Sequence, residues 1–249
     1  MTHPTPPQPT GLIDIHSHMI PGVDDGCADL SESLECVSRL QKAGFVGTIC
    51  TPHVFPEMYP ENTPTNIAAW TAQLQQQLRD ADSSYQLWPG GELRLFPDAV
   101  QWMQEHGVPT LAGSRCVLCD FWEHWWPSFI TDTLAWLIQR GYQPILAHPE
   151  RMRPERDYDQ RLADVQKMGV WLQGNFRCMT GEEGYQPDQI VRQLLQQNRY
   201  TFMAMDMHRP DSLEGRLDGM RLLEMEFTPD LLLDLVARAP RQHILGEKQ

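Results

Sequence analysis

Two histidines one residue apart, His16 and His18, close a short apolar run, and Asp24 and Asp25 follow within a dozen positions. On an extended chain residues i and i+2 share a face, so the two imidazoles can approach one cation together. Taken singly, a histidine at a strand end is more often a packed or surface residue than a ligand. Recurrence changes that balance. Further apolar runs end in His53, Glu92, Asp120 and His148, and a later one in Asp206 with His208, so that five of the nine histidines stand at such ends. Nitrogen and carboxylate donors without thiolate suit Mn, Fe or Zn, and bridging carboxylates let several ions share a cup. Eight ligand-type side chains are too many for one ion.

The elements that must position them are legible as alternating patterns. The runs "GLIDIH", "FVGTICTPH", "YQLWPGGE", "RCVLCDF", "YQPILAH", "GVWLQGN", "YTFMAMD" and, less regularly, "RQHIL" have strand character. Amphipathic segments lie between them. In "DLSESLECVSRLQKAG" the residues Leu30, Leu34, Val37 and Leu40 share a helical face, Asp29 or Ser31 suits the N-cap, and Gly44 suits the position after the C-cap. The segments "TNIAAWTAQLQQQLRD", "FITDTLAWLIQRG", "DYDQRLADVQKMG", "PDQIVRQLLQQN" and "TPDLLLDLVARAP" read the same way. Regular strand–helix alternation predicts a parallel α/β barrel, whose strands all end on one face, where active sites assemble. Six strand ends then deliver the candidate ligands to one rim.

Composition narrows the function classes. A formal charge of −13 with no basic run argues against a phosphate-backbone binder, so nucleic acid is not an expected partner. The length of 249 residues suits one barrel-sized domain over residues 11–249, and the start "MTHPTPPQPT" reads as a disordered Pro-rich tail over residues 1–10 with no signal-peptide character. No apolar stretch is long enough to insert in a membrane, and six cysteines do not make a dense disulfide framework, so a cytoplasmic location is expected. Nothing in the sequence bears on oligomeric state.

Other chemistries can be weighed directly. A thiolate phosphatase needs Arg six positions after its Cys, whereas the six cysteines are followed there by Ser33, Lys42, Pro56, Trp122, Trp125 and Gly184. Many amidohydrolases also begin with His-x-His but bridge their metals with a strand-end lysine; Lys42, Lys167 and Lys248 end no strand. Cys116 and Cys119 have redox-pair spacing, yet an odd separation along a strand turns them to opposite faces. His3, His106, His124 and His243 lack the strand-end placement and are read as non-ligands, His124 being nearest to a strand end. The cluster Phe121, Trp122, Trp125, Trp126 and Phe129 reads equally as loop packing or as an aromatic wall beside the site.

The stretches "IDIHSHMIPGVDDG", "TPH" at 51–53, "GGE" at 90–92, "AHPER" at 147–151 and "MDMH" at 205–208 resemble, in order and spacing, the PHP-superfamily bacterial protein-tyrosine phosphatases of capsule and exopolysaccharide synthesis. The resemblance spans nearly all of residues 11–249. It implies a distorted (β/α)7 barrel and a trinuclear metal cluster, usually manganese, with Fe or Zn as alternatives. The implied ligands are His16, His18, Asp25, His53, Glu92, Asp120, His148, Asp206 and His208, with Arg151 on phosphate and His208 also catalytic. Asp24 falls outside the ligand set and is assigned to the turn. The implied reaction is phosphomonoester hydrolysis by metal-activated hydroxide. The implied partner is the phosphotyrosine tail of a bacterial tyrosine autokinase. A small-molecule phosphatase of the histidinol-phosphate type and a metal-loaded regulator with little turnover are the alternatives. Two positions depart from the family pattern: Asp120 where Glu is common, and Met205 where a small Ser is usual, which places a bulkier side chain beside the metals.

Overall fold

The structure, a computed structural model, describes residues 11–122, 126–152 and 157–247. The tail assignment for residues 1–10, His3, and His124 and Trp125 lie outside the described residues. In chain order the elements begin with β1 (Leu12–Ser17), α1 (Leu30–Lys42), β2 (Phe45–Cys50), β3 (His53–Val54), α2 (Pro64–Asp80), β4 (Gln86–Pro89), β5 (Glu92–Arg94), α3 (Ala99–His106) and β6 (Cys116–Asp120). They continue with α4 (Ser128–Gln139), β7 (Gln143–Ala147), α5 (Tyr158–Lys167), β8 (Trp171–Asn175), α6 (Tyr185–Gln196), β9 (Phe202–Ala204), α7 (Leu213–Glu226), α8 (Pro229–Leu233) and α9 (Ala239–His243).

All the strand ladders are parallel, in the orders β1-β2-β4 and β3-β5-β6-β7-β8-β9. β2 runs into β3 and β4 into β5 with two residues between each pair. Pro52 supplies no ladder N–H, and its carbonyl accepts from Glu92 N at 3.1 Å, so the path bends there instead of ending. The ring closes where the chain leaving β9 meets β1: Asp206 N donates to His16 O and His18 N to Met207 O, both at 2.8 Å, with a Ser17–Met207 bridge. Seven strand paths therefore surround one axis, the distorted (β/α)7 barrel expected.

Local choices agree with this architecture. Asp29 caps α1 by accepting from Glu32 N at 3.0 Å, and Gly44 takes φ +93° to turn the chain into β2. Val37 and Leu40 are buried against the sheet, while Leu30 and Leu34 are partly covered. Inside the barrel Ile13, Ile15, Ile49, Leu118, Ile145 and Phe202 are all buried. Each large apolar side chain contributes about 1.5–3 kcal/mol on burial, so this plug fills the lower barrel and leaves polar chemistry only at the strand ends. Cys116 belongs to the plug and Cys119 to the helix-side core, the opposite faces their spacing implies.

Two expectations about elements change. "RQHIL" is not a strand: it lies over the end of α9 and the residues after it. Helices α3 and α7 lie in segments not read as helical; α3 has only eight residues, and α7 turns the charged Arg216 toward the core, which blurs the apolar stripe. Among the described residues no helix is long and apolar enough to cross a membrane.

Candidate metal centre

β1 delivers His16 and His18, but the register slips between Asp14 and Ser17, a bulge that re-aims the strand end. Their Nε2 atoms lie 3.3 Å apart. The other ring nitrogens are engaged: His16 Nδ1 lies 2.9 Å from Gln173 Oε1, and His18 Nδ1 lies 2.7 Å from Asp24 Oδ2. An amide oxygen and a carboxylate only accept, so Nδ1 donates in each of these bonds and Nε2 faces inward, where a ring holding no second proton presents a lone pair.

Around this pair the other strand ends converge. Glu92 Oε1 lies 3.4 Å from His16 Nε2 and 3.0 Å from His148 Nε2, and its Oε2 is 2.8 Å from His53 Nδ1. Asp206 Oδ1 is 3.4 Å from both His16 Nε2 and His18 Nε2. Asp25 Oδ1 lies 3.3 Å from His53 Nε2 and 3.6 Å from His208 Nε2. Among the described residues three overlapping donor groups result, with ligand atoms within 4.8 Å of one another: His18, Asp25, His53 and His208; His16, Glu92 and His148; and His16, His18 and Asp206. His16 and His18 each belong to two groups. Glu92 Oε2, though buried and close to His53, makes no hydrogen bond, as fits an oxygen aimed at a cation. The donor set fits divalent metal.

The backbone is bent to this end. His148 and Asp206 both hold positive φ, +29° and +47°, a conformation costly outside glycine and concentrated at functional sites. At Asp206 the fully covered Arg216 secures the turn, its Nε donating to Met205 O at 2.7 Å and Asp206 O at 2.8 Å. Asn175 Nδ2 donates to Asp206 Oδ2 at 2.8 Å. At the first loop a Cβ on Gly26 would come within 1.9 Å of His18 O, so only glycine lets the aspartate loop lie against β1. Asp24 shapes this turn by accepting from Gly26 N at 3.0 Å, and it also accepts from His53 N at 3.0 Å.

The electrostatics follow from crowding carboxylates and imidazoles. Burial alone would lower the His53 pKa, but Glu92, then Asp25, raise it to about 12. His18, opposed by burial and held by Asp24, rises to about 9, as does His148 through Asp120. His208 falls to about 4 through burial and the His18 charge. Hydrogen bonding to His53 brings half-exposed Asp25 down to about 2. Burial opposes ionisation of Asp206, but Arg151 and His16 hold its carboxyl well below the usual range.

Two residues singled out in sequence stand apart from the donor groups. Asp120 is 3.8 Å from His148 Nδ1, but its Oδ1 accepts from Phe121 N at 2.6 Å and its Oδ2 from the Trp122 indole at 2.7 Å. Arg151 reaches the rim with Nη1 on Asp206 at 2.6 Å and Nη2 on Glu183 at 2.9 Å. The Met205 side chain packs in the helix-side core, so it does not crowd the cup. His106 stacks on Trp102 and His243 packs by Trp171, both away from the donor groups. Gln173, Asn175, Glu183 and Arg216 were not read as site residues. A polar Gln and Asn inside the apolar run "GVWLQGN" were the available signal.

Comparison with known proteins adds an independent line. The sequence model of the family described as "Capsular polysaccharide synthesis, CpsB/CapC" matches residues 12–244. The chain is 28% identical over 221 residues to the tyrosine-protein phosphatase YwqE of Bacillus subtilis, covering 88% of this chain and 87% of that one. It is 27% identical over 206 residues to the tyrosine-protein phosphatase CpsB of Streptococcus pneumoniae, with 81% and 84% covered. Among solved structures, work on YwqE and CpsB as "unique metal-dependent tyrosine phosphatases" provides a chain that superposes with a TM-score of 0.85 at 26% identity, covering 95% and 96%. A probable 2-pyrone-4,6-dicarboxylic acid hydrolase of Acinetobacter baumannii has a TM-score of 0.60 at 13% identity, a likeness of fold alone.

Proposed function

Because this chain belongs to the CpsB/CapC family of capsular polysaccharide synthesis, we propose that it is a metal-dependent protein-tyrosine phosphatase whose residues 11–249 act as one catalytic domain. The observation that carries the reading is the set of three overlapping donor groups at one barrel rim, joined by His16 and His18. We assign His16, His18, Asp25, His53, Glu92, Asp120, His148, Asp206 and His208 as metal ligands, Asp120 standing 3.8 Å from His148, with manganese as the expected metal and three ions as the expected number. Bound divalent ions supply Lewis acidity toward phosphoryl oxygens and a nucleophile from water at neutral pH.

The chain's own groups do the rest. Gln173 and Asp24 hold the two shared imidazoles in one tautomer, so their lone pairs stay directed at the centre. Arg151 brings a guanidinium to the rim beside Asp206, where it can neutralise a phosphate oxygen through charge-assisted hydrogen bonds. Glu183 already occupies its Nη2, so an arriving phosphate must share or displace that carboxylate. His208 Nδ1 donates to Asp206 O, and with its pKa lowered to about 4 by burial and the His18 charge the ring is neutral near pH 7, leaving Nε2 for a metal ion. A tyrosine leaving group, with a pKa near 10, places little demand on a general acid. The acidic chain does not repel the substrate locally, since cations in the cup dominate within about 8 Å.

The physiological substrate we propose is the tyrosine-phosphorylated tail of an autokinase acting in capsule synthesis, met in the cytoplasm. The test combines metal analysis with assays on p-nitrophenyl phosphate and a phosphotyrosine peptide, with added Mn²⁺, with chelator, and in the Arg151→Ala variant. Loss of turnover on chelation and its return with Mn²⁺ are expected. Full activity after thorough metal removal overturns the mechanism, and an unchanged kcat/KM in Arg151→Ala removes only the role given to that residue.

A further inference from the structure

The side of the rim next to His53 carries an arrangement that the donor groups do not use. Tyr59 lies nearly parallel to the His53 ring at a centroid distance of 5.8 Å, and Trp122 stands edge-on to it at 5.6 Å. The Arg94 guanidinium is stacked between two rings, 4.1 Å from the Phe55 centroid and 4.3 Å from that of Trp122. Arg94 is two positions beyond Glu92 on β5, so the two side chains share a strand face. With one indole face backed by Arg94, Trp122 remains 40% exposed, whereas the neighbouring Phe121 is buried and packs against Trp126. The described residues of the aromatic cluster following β6 thus divide into a packed part and an exposed ring beside the metal donors.

Asp120 explains why the indole stands there. Its Oδ1 accepts from Phe121 N–H and faces His148 Nδ1 at 3.8 Å, while its Oδ2 accepts from the Trp122 indole N–H. We propose that Tyr59 and Trp122 form a binding wall for the aromatic ring of the substrate, and that Asp120 is a positioning residue which holds Trp122 in that wall. This deepens the phosphatase reading and rests on it. A phosphoryl group held over the His53 side would project its ester substituent past His53 between the two rings. An aromatic substituent gains stacking there that an alkyl one does not. The Arg94 cation, stacked on the indole, stiffens it.

Calorimetric binding of phenylphosphonate and methylphosphonate to the Mn²⁺-loaded full chain tests this without turnover. Wild type should bind the phenyl compound about tenfold more tightly, the scale of one or two aromatic contacts. The ratio should approach one in Trp122→Ala and fall severalfold in Tyr59→Ala and Asp120→Ala. Trp122→Phe, which keeps a ring, should restore much of it. Metal content is measured for every preparation, and the two phosphonates are always compared on the same preparation. A wild-type ratio near one, or a ratio unchanged in Trp122→Ala, overturns the wall while leaving the phosphatase reading intact. A phenyl-to-methyl ratio unchanged in Asp120→Ala overturns its positioning role. Failure of the loaded wild type to bind either phosphonate overturns both readings together.

Discussion

The inner and outer parts of the rim hold the same kinds of side chain in different ways. His16, His18, Glu92 and Asp206 are almost completely buried on or next to strands, and three of the four have a dedicated polar partner: Gln173, Asp24 or Asn175. Asp25 and His208 sit on loops, with side chains 57% and 24% exposed, and His208 Nδ1 donates to Asp206 O of its own segment. A donor fixed by strand and partner is prepaid in entropy; one on a loop must be ordered when the ion arrives. The inner part should therefore set metal affinity and number, and the outer part should tune them.

The largest break in this comparison is His16→Ala. It removes a donor from two of the three groups, so metal analysis should show loss of more than one ion. We expect kcat/KM on an aryl phosphate to fall on the order of 10³-fold, the scale of losing electrostatic stabilisation in the transition state. Retention of full stoichiometry would show that the overlap at His16 is not used.

Next come the partners. Gln173→Leu and Asp24→Asn keep every donor but release the ring that each holds, and metal affinity should drop about 10–100-fold, the usual cost of losing such support. Competition with a metallochromic chelator measures it. An unchanged affinity would mean that packing alone orients the imidazoles.

These partners also mark the limit of what could be read in the chain. The donors other than Asp25 were legible because they stand at the ends of apolar runs, and parallel strands bring run ends to one face. The distinction between Asp24 and Asp25 came from the family resemblance, and the structure gives its reason in the bond from Gly26 N to Asp24. Gln173 was not legible: its contact with His16 joins residues 157 positions apart, and only ring closure brings β8 across from β1. The same holds for Arg216, which secures the Asp206 turn from α7 and in doing so disguises that helix. The two-sheet break at Pro52 was hidden because "FVGTICTPH" reads as one run. Periodicity reports which way a side chain faces, but not which distant residue it faces.

Proton competition gives a smaller, graded effect. His18 and His148, raised to about 9, and His53, raised to about 12, carry protons near pH 7 in the metal-free rim. A metal needs the lone pair, so loading must release protons, and apparent affinity must rise with pH and fall as pH drops. Between pH 7 and pH 9 the slope should be about tenfold per unit for each displaced proton, seen as buffer-dependent heats in calorimetry. A flat profile would place these imidazoles in the neutral state before metal arrives.

The smallest expected effect belongs to the outer rim. Asp25→Asn leaves a neutral oxygen where a half-exposed carboxylate stood, in a group that keeps three histidines. Solvent screens an exposed charge, so affinity for the ion of that group should fall about tenfold or less, with the others unaffected. Set beside Asp24→Asn, this substitution one residue away makes a direct contrast: the exposed donor should cost one ion's affinity modestly, while the buried partner of His18 should weaken two groups at once. If Asp25→Asn instead matched or exceeded Asp24→Asn in a metal titration, the loop would be as well ordered as the strands. Affinity in this rim would then be set by donor charge and not by support.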